Sequence, residues 1–306
     1  MTLNIIILAA GKGTRMYSRQ PKVLHPIGGK AMLAHVIQTA QTLAPQAIHV
    51  VIGHGKEQVR QQLAAARVNW VEQTEQLGTG HAVKTALPHL PPHGRTLVLY
   101  GDVPLIDAAN LHALLDAAGE GVGILTDIMD NPTGYGRIIR AADGSVEKIV
   151  EHKDAMEAER AVREVNSGIY CFAIQSLFEA LASVTNDNAQ GEYYLPDVLE
   201  ILKKRGEKIW AVTADHYEDT LGINSRLQLA RAEKILRMRK AEELMAAGVT
   251  IMDPATTYID ADVRIGRDTV IYPMTWLEGT TVIGEDCEIG PSVRFQNVTC
   301  GDEVTG

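Results

Sequence analysis

The sequence predicts an α/β protein. A mostly parallel sheet covered by helices comes first, then a long connector helix, then the start of a parallel β-helix. Three patterns carry this. Short apolar runs alternate with helical stretches over the first two-thirds of the chain. Such alternation is the mark of parallel strands joined by crossover helices. From Asn224 to Ala247 the spacing of apolar residues turns helical among many Arg, Lys and Glu. Beyond Gly248 a six-residue period takes over.

The first strands are expected at residues 4–8, 49–52, 96–100 and 123–126, which are apolar throughout or rich in β-branched residues. Helices are expected at 31–43, 57–66, 80–86 and 108–118. In such sheets ligands bind at the carboxyl ends of the strands. In the connector, Leu227, Ala230, Ala232, Ile235, Leu236, Leu244 and Met245 predict an amphipathic helix ending near Gly248. Ile259, Ile265, Ile271, Leu277, Ile283, Ile289 and Phe295 then fall six apart. Four positions after each comes a small or β-branched residue: Val263, Thr269, Thr275, Thr281, Cys287, Val293 and Thr299. That period fits neither an α-helix nor an alternating strand pair. It fits a β-helix in which each hexapeptide forms one side of a triangular coil. The repeat stops at Gly301 without a polar cap, which predicts a longer parent protein.

Composition narrows the function classes. The 306 residues are 45% hydrophobic and 22% charged, with a net charge of −9. No global attraction to nucleic acid or anionic membrane is expected, and phosphate binding must be local. The apolar run at residues 3–10 is too short to span a bilayer, so no membrane anchoring and a cytoplasmic location are expected. Cys171, Cys287 and Cys300 are too few and too scattered for a disulfide framework or a zinc site.

The first strand runs into Ala9-Ala10-Gly11-Lys12-Gly13-Thr14-Arg15-Met16. A dinucleotide fingerprint needs Gly where Met16 stands, and a Walker A loop needs four residues before its closing Gly-Lys-Ser/Thr. Neither fits. What remains is a glycine-rich turn whose backbone N–H groups can approach a phosphate, with Lys12, Arg15 and Lys22 adding charge. A solvated surface turn is the bland alternative. Asp102 follows a buried strand and so falls at the ligand edge of the sheet. It reads equally as a Mg²⁺ ligand or as a cap on the next turn. Asn224 is similarly either a metal oxygen or the cap of the long helix. His25, His35 and His152 lack partners at ligand spacing and read as structural.

Taken together, eight segments resemble the sugar nucleotidyltransferase family. They are residues 8–16, 21–25, 75–82 (Glu-Gln-Leu-Gly-Thr-Gly-His-Ala), 100–104, 132–138, 150–153, 166–168 and 191–194. The hexapeptide tail narrows the likeness to the branch that joins a uridyltransferase domain to an acetyltransferase β-helix. The resemblance implies a Rossmann-like nucleotidyltransferase domain at 1–226, a helical linker at 227–248 and a truncated left-handed β-helix at 249–306. It implies Mg²⁺-dependent transfer of uridylyl from UTP to N-acetylglucosamine-1-phosphate. The products are UDP-N-acetylglucosamine, a precursor for peptidoglycan and lipopolysaccharide, and pyrophosphate. Leu8, Ala9, Ala10 and Gly11 would contact the nucleotide through their backbone. Gln73 and Gly78 would read the uracil edge, with Thr79 beside it. Tyr100, Gly101 and Asp102 would border ribose and metal, and Asp102 and Asn224 would share Mg²⁺. Gly136, Glu151 and Asn166 would hold the sugar, Arg15 and Lys22 would act on the phosphates, and residues 191–194 are read as structural. The intact parent is expected to form a homotrimer and to acetylate glucosamine-1-phosphate at a site beyond this sequence. The competing readings are a transferase for another base or sugar, and a non-catalytic β-helix assembly subunit.

Overall fold

The structure, a computed structural model, describes residues 2–306. The chain divides into two compact units, Met1–Leu24 with Met32–Gly222, and His25–Ala31 with Ile223–Gly306. The strands run in the order β1 (Leu3–Ala9), β2 (Pro26–Ile27), β3 (Lys30–Ala31), β4 (Ala47–Ile52), β5 (Asn69–Glu72), β6 (Arg95–Tyr100), β7 (Val122–Ile128), β8 (Arg137–Arg140), β9 (Val146–Val150), β10 (Glu164–Ala173) and β11 (Ile209–Thr213). The β2–β3 hairpin belongs to the second unit; the other nine strands form the sheet of the first.

That sheet has the order β11-β7-β10-β6-β1-β4-β5. β6, β1, β4 and β5 are parallel, as are β7 and β11. The sheet is thus parallel for most of its width, with β10 antiparallel to both of its neighbours. β8 and β9 form an antiparallel hairpin attached to β10 through the pair Val165 and Arg137. β1 lies centrally, and Ile5, Ile6 and Ile7 are fully buried. An alternating strand would expose every second residue; a continuous apolar run marks a strand covered on both faces. Burial of each such side chain contributes roughly 1.5–3 kcal/mol. Helices α1 (Met32–Thr42), α3 (Thr79–Ala86) and α4 (Ala108–Ala118) follow strands as the alternation predicts, while α2 stops early, at Lys56–Gln62. Asp107 starts α4 by accepting a hydrogen bond from the Ala109 N–H at 2.7 Å. Helices α5 (Glu157–Arg160), α6 (Ile174–Leu181) and α7 (Pro196–Lys204) complete the unit. Cys171 is buried in β10, and burial pushes its thiol up to about 12, so it stays a neutral, inert group.

In the second unit the connector is α8 (Arg226–Ala246). Only Ala232, Ala241 and Leu244 are buried along it, and Leu227 and Met245 are exposed. Its apolar face is therefore narrower than the spacing predicts. Its cap is Ser225, whose hydroxyl accepts from the Gln228 N–H at 3.2 Å. Asn224 is not the cap; its backbone N–H donates to the Gln228 side chain at 2.7 Å.

Beyond α8 the hexapeptide reading holds as far as Phe295. There the period shortens by one residue, so that Thr299 pairs with Val282 and Thr305 with Glu288. Thr299, expected inside, is exposed, while Cys300 and Val304 pack against the core. Parallel ladders pair Ile259 with Leu277, Ile265 with Ile283, Ile271 with Ile289, and Leu277 with Phe295. Each pair is three hexapeptides apart, one turn of a three-sided coil. Ile259, Ile271, Leu277, Ile283 and Ile289 fill its core together with Val263, Thr269, Thr275, Thr281 and Cys287. The buried threonines satisfy their hydroxyls on the backbone: Thr275 donates to the Tyr272 carbonyl at 2.8 Å and Thr281 to the Glu278 carbonyl at 2.7 Å. That is why a polar residue is tolerated there. Among the described residues, no helix is long and apolar enough to cross a membrane.

Candidate active site

The carboxyl ends of β1 and β6 open onto a cavity of about 420 Å³. Leu8, Ala9, Ala10, Gly11 and Lys12 line one side, Gln73, Gln76, Gly78 and Thr79 another, and Tyr100 and Asp102 the floor, with Lys22 and Glu192 beside them. The turn after β1 brings its backbone and its cations together for a steric reason. Gly13 has φ +61°, and a Cβ there would stand 2.5 Å from the Lys22 Cβ. Only glycine lets Lys22 pass so close. Lys22 Nζ then pairs with Asp102 Oδ2 at 2.5 Å, both side chains being largely enclosed. Among the described residues the other Asp102 oxygen takes no hydrogen bond, and the Asp102 side chain caps no turn. Its capping reading therefore does not hold.

Arg15 follows the lining residues of the turn. It sits in a short 3₁₀ turn, Thr14–Met16, exposed and outside the cavity lining. Gly101 lies between the two lining residues Tyr100 and Asp102, and its N–H donates to the Leu8 carbonyl at 2.9 Å, which ties the end of β6 to that of β1. The Tyr100 phenol is pushed well above its usual range by burial and by the neighbouring Asp102, so it remains a neutral hydroxyl.

The residues expected to hold the sugar meet one another through β10. Its register shifts between Asn166 and Tyr170. In this irregular stretch the Ser167 hydroxyl donates to the Leu125 carbonyl at 2.5 Å. Asn166 donates to the Tyr170 hydroxyl at 2.8 Å, and its N–H donates to the Gly136 carbonyl at 3.0 Å. A Cβ on Gly136 would lie 3.1 Å from the Glu151 carboxylate, and Gly168 lies against the Tyr100 ring. Gly136, Glu151 and Asn166 therefore form one cluster that reaches the cavity through Gly168 and Tyr100. Bulges re-aim side chains in this way beside functional sites. His152, read as structural, lies 3.2 Å from the guanidinium of the buried Arg137.

The segment at 191–194 does more than the structural role expected of it. Tyr193 exchanges backbone hydrogen bonds of 2.7 Å with Leu77 and Gly80, and the Leu195 N–H donates to the Thr79 hydroxyl at 3.0 Å. Gly78 has φ +102°, and a Cβ there would strike the Tyr193 carbonyl at 2.6 Å, so glycine is required at this crossing. The clamp brings Glu192 to the cavity, a lining residue missed by sequence reasoning, as was Gln76. The Gly-Glu-Tyr-Tyr segment at 191–194 was the available signal.

Asn224 lies in the second unit, immediately before α8. The chain leading to it is anchored inside the first unit. Asp219 accepts from the Asn110 amide at 2.8 Å, and the Thr220 hydroxyl donates to Asp127 in β7. Burial raises the Asp127 carboxyl from its ordinary 3.8 to about 6; the Thr220 bond opposes this and Asp219 adds to it. The folded state therefore binds the proton more tightly than the unfolded chain. The stability contributed is complete below pH 3.8 and is lost as pH rises through about 6. Two pH units correspond to about 3 kcal/mol. Asp127→Asn removes this titration. In urea unfolding it should be about 2–3 kcal/mol more stable than wild type at pH 7.5, and about equal to it near pH 4. An equal difference at both pH values would contradict the assignment.

Among the described residues, no three or more His, Cys, Asp and Glu converge as a metal cage. The hard oxygen donors lining the cavity are the Asp102 oxygen that Lys22 does not engage and the Glu192 carboxylate. That set fits a hard cation that takes few protein oxygens and completes its shell with phosphate and water.

A parallel sheet with a glycine-rich turn, lysines and an aspartate at its ligand edge defines a nucleotide-binding transferase fold. The chain belongs to the MobA-like NTP transferase domain family, whose model matches residues 5–209. It is a nucleotidyltransferase. It is similar to the bifunctional GlmU proteins of Geobacillus sp. (strain WCH70), at 55% identity over 98% of this chain and 66% of the relative. Similar values hold for the GlmU of Neisseria meningitidis serogroup C (strain 053442), at 54% over 98% and 66%. The GlmU of Syntrophomonas wolfei is 48% identical over 99% and 68%. The chain thus spans about two thirds of the length of these relatives. A solved structure described as a candidate glucose-1-phosphate thymidylyltransferase from Bacillus anthracis shares the fold. It has a TM-score of 0.60 and 18% identity over 76% of this chain and 95% of its own.

Proposed function

We propose that the first unit transfers a uridylyl group from UTP to N-acetylglucosamine-1-phosphate, forming UDP-N-acetylglucosamine and pyrophosphate. The observation that carries this is the single cavity at the strand ends. It joins the turn at 8–12, the Lys22–Asp102 pair and the amide of Gln73 beside Gly78. The likeness to the GlmU proteins supports the choice of base and sugar.

The attacking oxygen of the sugar phosphate is already an anion, so no general base is needed. Catalysis rests on positioning and charge neutralisation. The backbone of Leu8, Ala9, Ala10 and Gly11 lies along the nucleotide. Gln73 and Gly78 meet the uracil, with Thr79 beside them holding the clamp to Leu195. Tyr100 and Gly101 border the ribose. Gly136, Glu151 and Asn166 hold the sugar and its N-acetyl group. Lys22 and Arg15 neutralise charge as pyrophosphate departs. Mg²⁺ would be held by Asp102 and Asn224 and, when bound, supplies Lewis-acid neutralisation of the phosphates. Acetyl transfer and trimer assembly belong to the longer parent on this reading.

A panel of four nucleoside triphosphates against several sugar-1-phosphates tests the specificity through pyrophosphate release. UTP with N-acetylglucosamine-1-phosphate should give the highest kcat/KM. A higher value for another pair would assign the cavity to a different nucleotidyltransferase reaction. Release from none would favour the non-catalytic assembly subunit.

A further inference from the structure

Gln73 follows β5, is 4% exposed, and lines the cavity. Its side-chain nitrogen lies 3.3 Å from the Gly78 carbonyl and 2.9 Å from Nδ1 of His81, which stands on the first turn of α3. A carbonyl oxygen can only accept a hydrogen bond, so the amide must turn its nitrogen, not its oxygen, toward Gly78. The same nitrogen then donates its second hydrogen to His81. Nδ1 must be the acceptor there, and the imidazole carries its hydrogen on Nε2. Both amide hydrogens are consumed. Oε1 receives no hydrogen bond among the described residues, and it is the part of the amide left for a ligand.

We propose that His81 is a specificity-determining positioning residue, which selects the base by locking the Gln73 amide with its oxygen toward the ligand. The proposal rests on the reading of Gln73 as the residue that meets the base. An acceptor at that point matches a pyrimidine bearing N3–H, as uracil does. It opposes the N3 lone pair of cytosine. Without His81 the only lock is the long 3.3 Å contact to Gly78, and a half-turn of the amide presents a donor instead. His81 itself is held in place: α3 is pinned at Gly80 by the Tyr193 carbonyl at 2.7 Å, and the His81 ring lies 6.4 Å from the Tyr193 ring.

The test compares kcat and KM for UTP and CTP in the whole chain, at saturating N-acetylglucosamine-1-phosphate. The variants are His81→Leu, His81→Asn and Gln73→Ala. His81→Leu should raise the UTP KM about tenfold, leave kcat within about twofold, and narrow the UTP-to-CTP ratio of kcat/KM by about tenfold, the scale of a lost and then reversed hydrogen bond. His81→Asn offers an acceptor oxygen near the place of Nδ1 and should recover most of that ratio. A folded His81→Leu protein with an unchanged ratio overturns the proposal, and so does a His81→Asn protein no better than His81→Leu. If His81→Leu does not fold, His81→Met serves as the acceptor-poor variant under the same criteria. Gln73→Ala separates the two levels. A collapsed ratio in Gln73→Ala with an intact ratio in His81→Leu removes only the role of His81. An intact ratio in both removes Gln73 as the base reader, and the proposal with it.

Discussion

Asp102→Asn should lower kcat by about 100-fold or more while leaving the fold intact, the loss seen when one preorganised electrostatic group is removed from a transferase site. Asparagine keeps the shape of the side chain and the end of β6. It removes the charge that faces Lys22 at 2.5 Å, in a place where both side chains are largely enclosed. Enclosed ion pairs are costly to break from one side. It also replaces a cavity carboxylate oxygen that Lys22 does not engage with a neutral amide group. The dependence of rate on Mg²⁺ concentration should therefore shift to higher concentration as kcat falls. Wild-type turnover and an unchanged Mg²⁺ titration in the folded variant would reduce Asp102 to a structural partner of Lys22. The double variant Lys22→Met/Asp102→Asn should lose less than the sum of the two single losses, because the two side chains are in direct contact and act as one pair.

The second large effect is at Arg15. Arg15→Ala should cost about 3 kcal/mol of transition-state stabilisation, measured as kcat/KM for UTP. Its stability should stay within about 0.5 kcal/mol of wild type, as for exposed residues without buried partners. The two readouts separate cleanly because the side chain is exposed and lies outside the lining of the cavity. A residue placed so has no part in holding the pocket together, and any effect it exerts on turnover is on bound phosphate. Near-normal turnover in Arg15→Ala would assign the departing charge to Lys22 and to Lys12, which does line the cavity.

Much of this architecture was legible because its signals are local. The unbroken Ile5, Ile6 and Ile7 announce a strand buried on both faces, and the glycine-rich turn and Asp102 follow their strands directly in sequence. The β-helix is the clearest case, since a fixed period turns every sixth residue inward and the ladders carry that period as far as Phe295. Beyond it one residue drops out of the period and Thr299 turns outward. What stayed hidden depends on pairings between distant segments. β10 inserts antiparallel between β6 and β7, and no feature of its sequence states its neighbours. The irregular register at Asn166 follows from that insertion. The clamp between residues 77–80 and 193–195 joins segments more than 110 positions apart, as the 116-residue separation of Thr79 and Leu195 shows. Glu192 and Gln76 could not be placed at the cavity before that clamp was known. The cap of α8 shows the opposite limit. Asn224 and Ser225 are both good capping residues, and adjacent candidates are separated only by backbone geometry.

The central claim is that the cavity between the turn at 8–12 and Asp102 holds a nucleoside triphosphate for attack at its α-phosphorus by a sugar phosphate. The most direct measurement follows the fate of that phosphorus. UTP carrying a radioactive α-phosphate is incubated with the protein, N-acetylglucosamine-1-phosphate and Mg²⁺. The label is expected to move into UDP-N-acetylglucosamine, with one unlabelled pyrophosphate released for each molecule formed. Label that stays in UTP, or orthophosphate released with no labelled sugar nucleotide, would contradict it.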